Sequence, residues 1–490
     1  MRLIVKDLDL TSGDVLIAVL NYHDAKKLDV RPKDRIEISF KGKKLVAVAD
    51  ISGKEKPVSA GQIGLFEEIL SRFGISDHGT GIVEVKAVGK PESVGYIREK
   101  LFGKRLNYKK LYAIINDIVE NRLEESEITY FVSAGFAHGF TEEETFYLTK
   151  AMVETGHKLS FPKPVFDLHS IGGVPGNRTT MVVVPIVAAA GLTIPKTASR
   201  AITSPSGTSD TMEVLARVDL TAKEMERTVR KTKGCIVWGG AMDLAPADDK
   251  IIKVEHPLSI DAEGQMLASV MAKKASVGAN YLLTEIPIGP TAKCRNKKEA
   301  GRLEKKFISL AKRLGIKNRV IITDGSQPVG RGIGPVLEAR DVMWVLKNNE
   351  RAPSDLRERS LLMAGILLEM AGRKNGHKIA IEMLKSGRAY EKMQEIIRYQ
   401  GRQPEMAVGT FTHAVHADKN GKVKKIDNSR VAKLAKIAGA PDDKGAGVYL
   451  EKKVGAAVKK GEKLFTIYAE NKVELDTAVE EAKRNNIYHI

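Results

Sequence analysis

Apolar and polar residues alternate in five short runs within residues 1–90: RLIVKDLDL, VLIAVL, RIEISF, KLVAVADI and GIVEVKAVG. Alternation of this kind marks half-buried strands, and several strands at short spacing predict a small β-barrel. NYHDAKKLDVRPKD interrupts them with a short helical patch and a Pro-containing turn. From 95 to 165 the period changes. VGYIREKLFGKRLNYKKLYAIINDIVENRL and TEEETFYLTKAMVETGHKL place apolar residues three and four apart, which predicts helices, with Thr141 and Glu144 as a capping box. From 165 strand and helix patterns take turns. PVFDLHS, a helix to Gly191, TIPKTAS and a helix through MEVLARV come first; a helix over 261–280, the strand YLLTEIPIG and VIITDGSQPVGRGIGPVLEARDVMWVL follow. Repeated strand–helix units predict a parallel α/β sheet. Near 405 the pattern shifts again, and THAVHADKNGKVKKID predicts a hairpin turning at Asn420-Gly421.

The fold class read from this pattern is α/β with four parts. They are a small N-terminal β-barrel (1–90), a helical domain (95–165 plus 250–280), a large mixed α/β phosphate-binding domain (166–249 plus 281–404) and a C-terminal α+β region (405–490). The barrel pattern is similar to double-psi barrels. VYLEKKVGAAVKKGEKLFTIYAE is similar to part of a lipoyl- or biotinyl-type hammerhead, but without the hairpin-tip lysine of a carrier, so its reading is structural.

Composition narrows the function classes. The chain has 490 residues, 43% of them hydrophobic, ample for several cores. No apolar run approaches the roughly 20 residues of a membrane span, and MRLIVKDLDLTSGD turns polar too early for a signal peptide. Cys235 and Cys294 have no partner spacing, which fits a reducing cytoplasm and not a zinc ribbon. No His/Asp/Glu cluster stands at ligand spacing, so neither metal nor cofactor is expected. The net charge of +18 admits nucleic acid, anionic small substrates, or a Lys/Glu-rich surface of the kind found in proteins from hot environments. Only 6% of residues are aromatic, and the basic runs carry few of them, whereas single-strand binders need stacking platforms. A solvated surface is the preferred reading.

Several loops carry candidate chemistry. FDLHSIGGVPGNRTT (166–180) puts Gly172, Gly173 and Gly176 between a strand and a helix. Glycines there admit an anion to the N–H groups of a helix start; a plain strand-to-helix turn is the alternative. The sequence is neither a Walker loop nor a dinucleotide fingerprint. SRAITSPSGT (199–208) repeats the arrangement with hydroxyls, Gly207 and Arg200; ordinary N-capping by Ser204 and Thr208 is the alternative. Ser269 and Lys273 share one helix face, and Asp261 stands at that helix's start, as acid or as cap. Lys293 lies in the turn PIGPTAKC. GRGIG (330–334) lacks the spacing of a nucleotide fingerprint and reads as a tight helix–strand approach.

DLHSIGGVPGNRTT, SRAITSPSGTSDTMEVL, LASVMAKK and TDGSQPVGRGIGPVLEAR, in this order, resemble the thymidine/pyrimidine nucleoside phosphorylase family over residues 95–490. The barrel in front resembles its archaeal branch, whose members act on AMP. The resemblance implies an α domain and an α/β domain with the substrates between them, dimers paired through the α domain, and larger assemblies through the extension. Nucleoside members show Lys-His-Ser in the first loop; here it is Leu168-His169-Ser170. His169, Ser170 and Thr179 match positions near phosphate and sugar, Ser199 and Thr208 match phosphate-side hydroxyls, and Ser269 and Lys273 match base-side residues. The family's pyrimidine-reading arginine has no counterpart between Lys231 and Lys293. Lys293 replaces an apolar residue, and with Arg200 supplies the cation that a 5′-phosphate requires.

These departures imply a purine nucleotide. The expected reaction is phosphorolysis of AMP, with CMP and UMP as further candidates, to free base and ribose 1,5-bisphosphate. Inorganic phosphate is the co-substrate. Gly173, Ser199, Arg200, Ala201, Ile202, Thr203, Ser204, Thr208, Ser269 and Lys293 would bind AMP. Asp261 would protonate the leaving base, with His169 in reserve. A pyrimidine nucleoside phosphorylase and a non-enzymatic basic nucleic-acid-binding protein are the alternatives.

Overall fold

The computed structural model describes residues 1–13, 15–53, 56–76, 79–201, 204–242, 244–255 and 262–490. They form two compact units, Met1–Thr155 with Pro246–Met266, and Gly156–Ala245 with Leu267–Ile490.

The first unit opens with β1 (Arg2–Asp7), β2 (Ile17–Asn21), β3 (Arg35–Phe40), β4 (Lys43–Ser52), β5 (Gln62–Leu65) and β6 (Ile82–Val88). They close a barrel in the order β1-β5-β2-β4-β3-β6. The alternation is kept: Leu3 and Val5 of β1 point inward with Ala18, Ile36, Ile38, Ile63 and Val83, while Ile4 faces out. β5 is a strand that the pattern missed, because QIGL is too short to show a period. The helices Ser93–Leu101, Tyr108–Val119, Glu125–His138 and Glu142–Glu154 follow. The expected capping box is present: Thr141 Oγ1 accepts from Glu144 N at 3.1 Å, and Glu144 Oε2 accepts from Thr141 N at 2.9 Å.

The second unit is built on β7 (Phe166–Ser170), β8 (Ile194–Ala198), β9 (Gly234–Trp238), β10 (Tyr281–Ile288) and β11 (Lys317–Asp324). β11, β10 and β7 pair in parallel, as do β8 and β9. A parallel bridge from Val165 to Thr193, and Phe166 N donating to Thr193 O at 2.8 Å, join β7 to β8. The order is therefore β11-β10-β7-β8-β9. The chain builds outward from β7 to β9, then returns to lay β10 on the other side of β7. β7 and β10 stand side by side at that reversal, and the crevice at such a switch point is where open α/β sheets hold ligands. The helix Thr179–Ala189 is buried from Thr179 to Ala188, as its run MVVVPIVA requires.

In the C-terminal region Phe411–His416 pairs with Lys463–Ala469, which pairs with Gly447–Leu450, which in turn pairs with Gly332–Ile333. The hairpin expected at Asn420-Gly421 does not form. Gly421–Lys422 pairs instead with Ala457–Val458, so a distant partner overrides a local turn signal. Among the described residues no helix is long and apolar enough to cross a membrane.

Candidate active site

β7 ends in His169 and Ser170, and the chain passes through residues 171–178 into the helix Thr179–Ala189. Gly172, Gly173 and Gly176 have φ of +84°, +88° and +72°, a region that side chains avoid. At Gly173 space is also closed: a Cβ would lie 2.8 Å from Lys293 N and 3.2 Å from Ala292 Cα. The turn after β7 thus packs directly on the turn after β10, across the switch point. Gly289 N donates to Cys294 O at 3.1 Å, which closes the second turn and sets the backbone of Lys293 beside Gly173.

His169 is half-buried. Loss of solvation, then the charges of Lys274, Lys196, Lys293 and Lys273, push its imidazole well below the ordinary value of 6.5. It is neutral at pH 7. The structure therefore brings Lys273 and Lys293 within electrostatic reach of His169. Ser269 sits one turn before Lys273 on the helix Glu263–Ser276. Two of the four lysines, Lys196 and Lys274, were not read from the sequence as site residues.

The hydroxyls of the first loop are organised by Asn177, also missed. Its amide nitrogen donates to Glu285 Oε2 at 3.0 Å and reaches Ser170 Oγ at 3.4 Å, and its oxygen accepts from Thr179 Oγ1 at 2.9 Å. Glu285 is wholly buried on β10 and also accepts from Thr323 at 2.8 Å and Arg359 at 3.2 Å. Thr179 is 1% exposed, with its proton committed to Asn177, so it braces the loop. Arg178, next along, lies between Glu338, Thr211 and the carbonyl of Ser206, and ties the first loop to the second.

The second loop leaves β8 at Ser199. Ser199 and Ser204 are exposed, Ala201 and Thr208 partly so, and Ile202 and Thr203 lie outside the described residues. Gly207 crosses the loop's own start, where a Cβ would lie 2.5 Å from Ser199 O. Asp210 pins both ends, its Oδ2 accepting from Ala201 N at 2.6 Å and Gly207 N at 2.8 Å. The N-cap of the helix Thr208–Glu213 is Gly207, whose N–H donates to Asp210, so neither Ser204 nor Thr208 serves as its N-cap. Arg200 forms a bidentate pair with Glu213 at 2.8 and 2.6 Å and lies 5.0 Å over the Trp238 ring. Lys444 approaches the same carboxylate at 3.1 Å. Asp261 lies outside the described residues.

GRGIG takes the structural role expected of it. Gly332 would place a Cβ 2.3 Å from Leu337 O, and Gly334 would place one 2.3 Å from Ala446 O.

Residues 94–156 match the helical bundle domain of a glycosyl transferase family, 162–390 its a/b domain, and 422–489 the pyrimidine nucleoside phosphorylase C-terminal domain. The chain is 43% identical to an AMP phosphorylase of Methanocaldococcus jannaschii, over 99% of this chain and 96% of that one. It is 46% identical to an AMP phosphorylase of Pyrococcus furiosus (99% and 97%), and 47% identical to AMP phosphorylase 1 of Archaeoglobus fulgidus (95% and 92%). Among solved structures, anthranilate phosphoribosyltransferase from Thermus thermophilus shares the fold at 17% identity, with a TM-score of 0.52 over 62% of this chain and 98% of that one.

Proposed function

The chain belongs to the AMP phosphorylase family, and from that premise we propose that it cleaves AMP with inorganic phosphate to adenine and ribose 1,5-bisphosphate. A phosphate oxygen bonds to the anomeric carbon as the bond from that carbon to the base nitrogen breaks. The base leaves with the bonding pair and takes up a proton. The observation that carries this reading is the meeting of the turns after β7 and β10, Gly173 against the backbone of Lys293, where four lysines act on a neutral histidine. Such a field suits anions and supplies positioning before chemistry.

In this reading Ser170 and the hydroxyls of the second loop hold the incoming phosphate. Lys293 takes the 5′-phosphate. Gly173, the 199–204 segment, Thr208 and Ser269 bind AMP, with Lys273 toward the base. Asp261 delivers the proton to the base. His169 suits that task less well, because a neutral imidazole holds its one N–H proton too tightly to act as a general acid. The C-terminal strands act as a hammerhead-like support, and the chain works as a homodimer or larger assembly in the cytoplasm.

The test is product analysis of purified protein with phosphate and AMP, CMP, UMP, adenosine or thymidine in turn. Adenine with a doubly phosphorylated ribose is expected from AMP. Preference for thymidine, with deoxyribose 1-phosphate as product, would refute the nucleotide reading.

A further inference from the structure

Behind His169 lies a charged cluster sealed from solvent. Asp167 is wholly buried, Lys196 is 5% exposed and Lys274 2%. They come from β7, β8 and the helix Glu263–Ser276. Lys274 Nζ is 2.8 Å from Asp167 Oδ2. Lys196 Nζ donates to Leu168 O at 2.6 Å and lies 3.6 Å from Asp167 Oδ1. With both lysines protonated the cluster holds two cations and one anion. An uncompensated charge out of water is unfavourable, and apolar side chains of similar volume would serve stability as well or better. The strain registers on Lys196, whose ammonium is pulled far below its ordinary pKa by desolvation and then by Lys274, with Asp167 opposing.

The excess charge points at the site. Lys274 and Lys196 act on His169 more strongly than Lys293 and Lys273 do, although the latter pair is the more exposed. Cys235, facing the cluster from β9, stays an uncharged thiol because burial pushes its pKa up. Salt screens exposed charges beyond about 10 Å and buried ones far less, so a buried pair loses less of its pull on an anion as ionic strength rises.

We propose that Lys196, Asp167 and Lys274 form a positioning device for the anionic co-substrate, an excess positive charge beneath the first loop, whole while Lys196 is protonated, that raises phosphate affinity without touching phosphate. The proposal rests on phosphate being the co-substrate, and it makes the affinity follow the cluster's net charge and not the identity of its members.

Charge restoration tests this. Lys196→Met removes the excess, Asp167→Asn doubles it, and the double variant returns it to the starting value. The Michaelis constant for phosphate should rise about tenfold in Lys196→Met, the order expected for one unit charge removed roughly 12 Å away at an effective dielectric of about 20. It should be lower in Asp167→Asn and close to wild type in the double variant, with kcat moving less throughout. A constant that stays at wild type in Lys196→Met, or that rises in all three variants in step with lost thermal stability, overturns the proposal. Should the variants not fold, the wild-type protein carries the test through the NMR titration of His169, empty and with saturating sulfate, an anion of fixed charge. Titration well below 6.5 in the empty site, rising with sulfate, supports the device, and an ordinary value in the empty site overturns it. Sulfate binding is read without turnover, so a failure of the AMP reading leaves this result standing.

Discussion

The turn at 171–176 and the segment at 330–334 both run between strand and helix and both are rich in glycine, yet different charged side chains stand around them. Around the first stand His169 and the lysines 196, 273, 274 and 293. Around the second stand carboxylates. Gly330 N donates to Asp355 at 3.2 Å, and Arg331 N and Gly332 N both donate to Asp341 Oδ2 at 2.7 Å. The second segment has its anion built in, and its N–H groups are taken. Glycine spacing therefore reports backbone freedom and close approach, while the sign of the neighbouring charge decides whether an anion must come from outside.

The sharpest way to break this comparison is to add one methyl group to each segment. Gly173→Ala forces a Cβ into the backbone of residues 292–293 at φ +88°. A displacement of about 1 Å at a reacting site is worth about a hundredfold, so kcat/KM should fall by about that factor in protein that still folds. Gly334→Ala meets Ala446 O at φ +125° and should instead lower stability, by about 2 kcal/mol, with kcat/KM of the folded protein near wild type. Steady-state kinetics beside thermal unfolding separates the two, and a kinetic defect confined to Gly334→Ala would reverse the assignment.

Asp210→Ala comes next. It releases Ala201 N and Gly207 N together, so the second loop loses both of its pins. We expect kcat/KM for AMP to drop about thirtyfold, in keeping with two lost charge-assisted hydrogen bonds, with most of the change in the Michaelis constant. An unchanged constant would mean that the loop's shape does not depend on that carboxylate. Lys293→Ala should raise the Michaelis constant for AMP about tenfold, as loss of one charge-assisted contact would, and leave that for adenosine alone. Equal effects on both substrates would remove Lys293 from the 5′-phosphate.

How much of this was legible in the chain differs by range of interaction. The glycines of both segments were visible because a positive φ is a local demand. Lys293 was visible as a charge in a turn. Lys196 was not, since a lysine within IPKTA looks like any strand's solvent-facing residue until β9 and the helix Glu263–Ser276 cover it. Asn177 and Asp210 read as turn and helix-start residues, and only the folded loops show whose N–H and hydroxyl groups they hold. The order β11-β10-β7-β8-β9, which creates the switch point, follows from strand pairings that no local pattern encodes. The misread hairpin at Asn420-Gly421 is the same lesson in reverse.

The smallest expected effect sharpens the notion of a built-in anion. Burial pushes the Asp341 carboxyl up from 3.8 to about 6, against the two N–H groups that favour its charge. A folded-state value above the unfolded one means that the protonated form is the better guest. The stabilisation it contributes is then complete below pH 3.8 and is lost as pH rises through 6. Wild-type Tm, followed from pH 4 to 7, should fall relative to that of Asp341→Asn, an amide that keeps an acceptor for Arg331 N and Gly332 N and does not titrate. The gap should be a few degrees, since a shift from 3.8 to about 6 is worth about 3 kcal/mol and each kcal/mol moves Tm by about 1 °C in a chain of this size. Parallel pH curves would show that Asp341 is charged throughout, and would make the second segment a permanent anion site with its occupant in place.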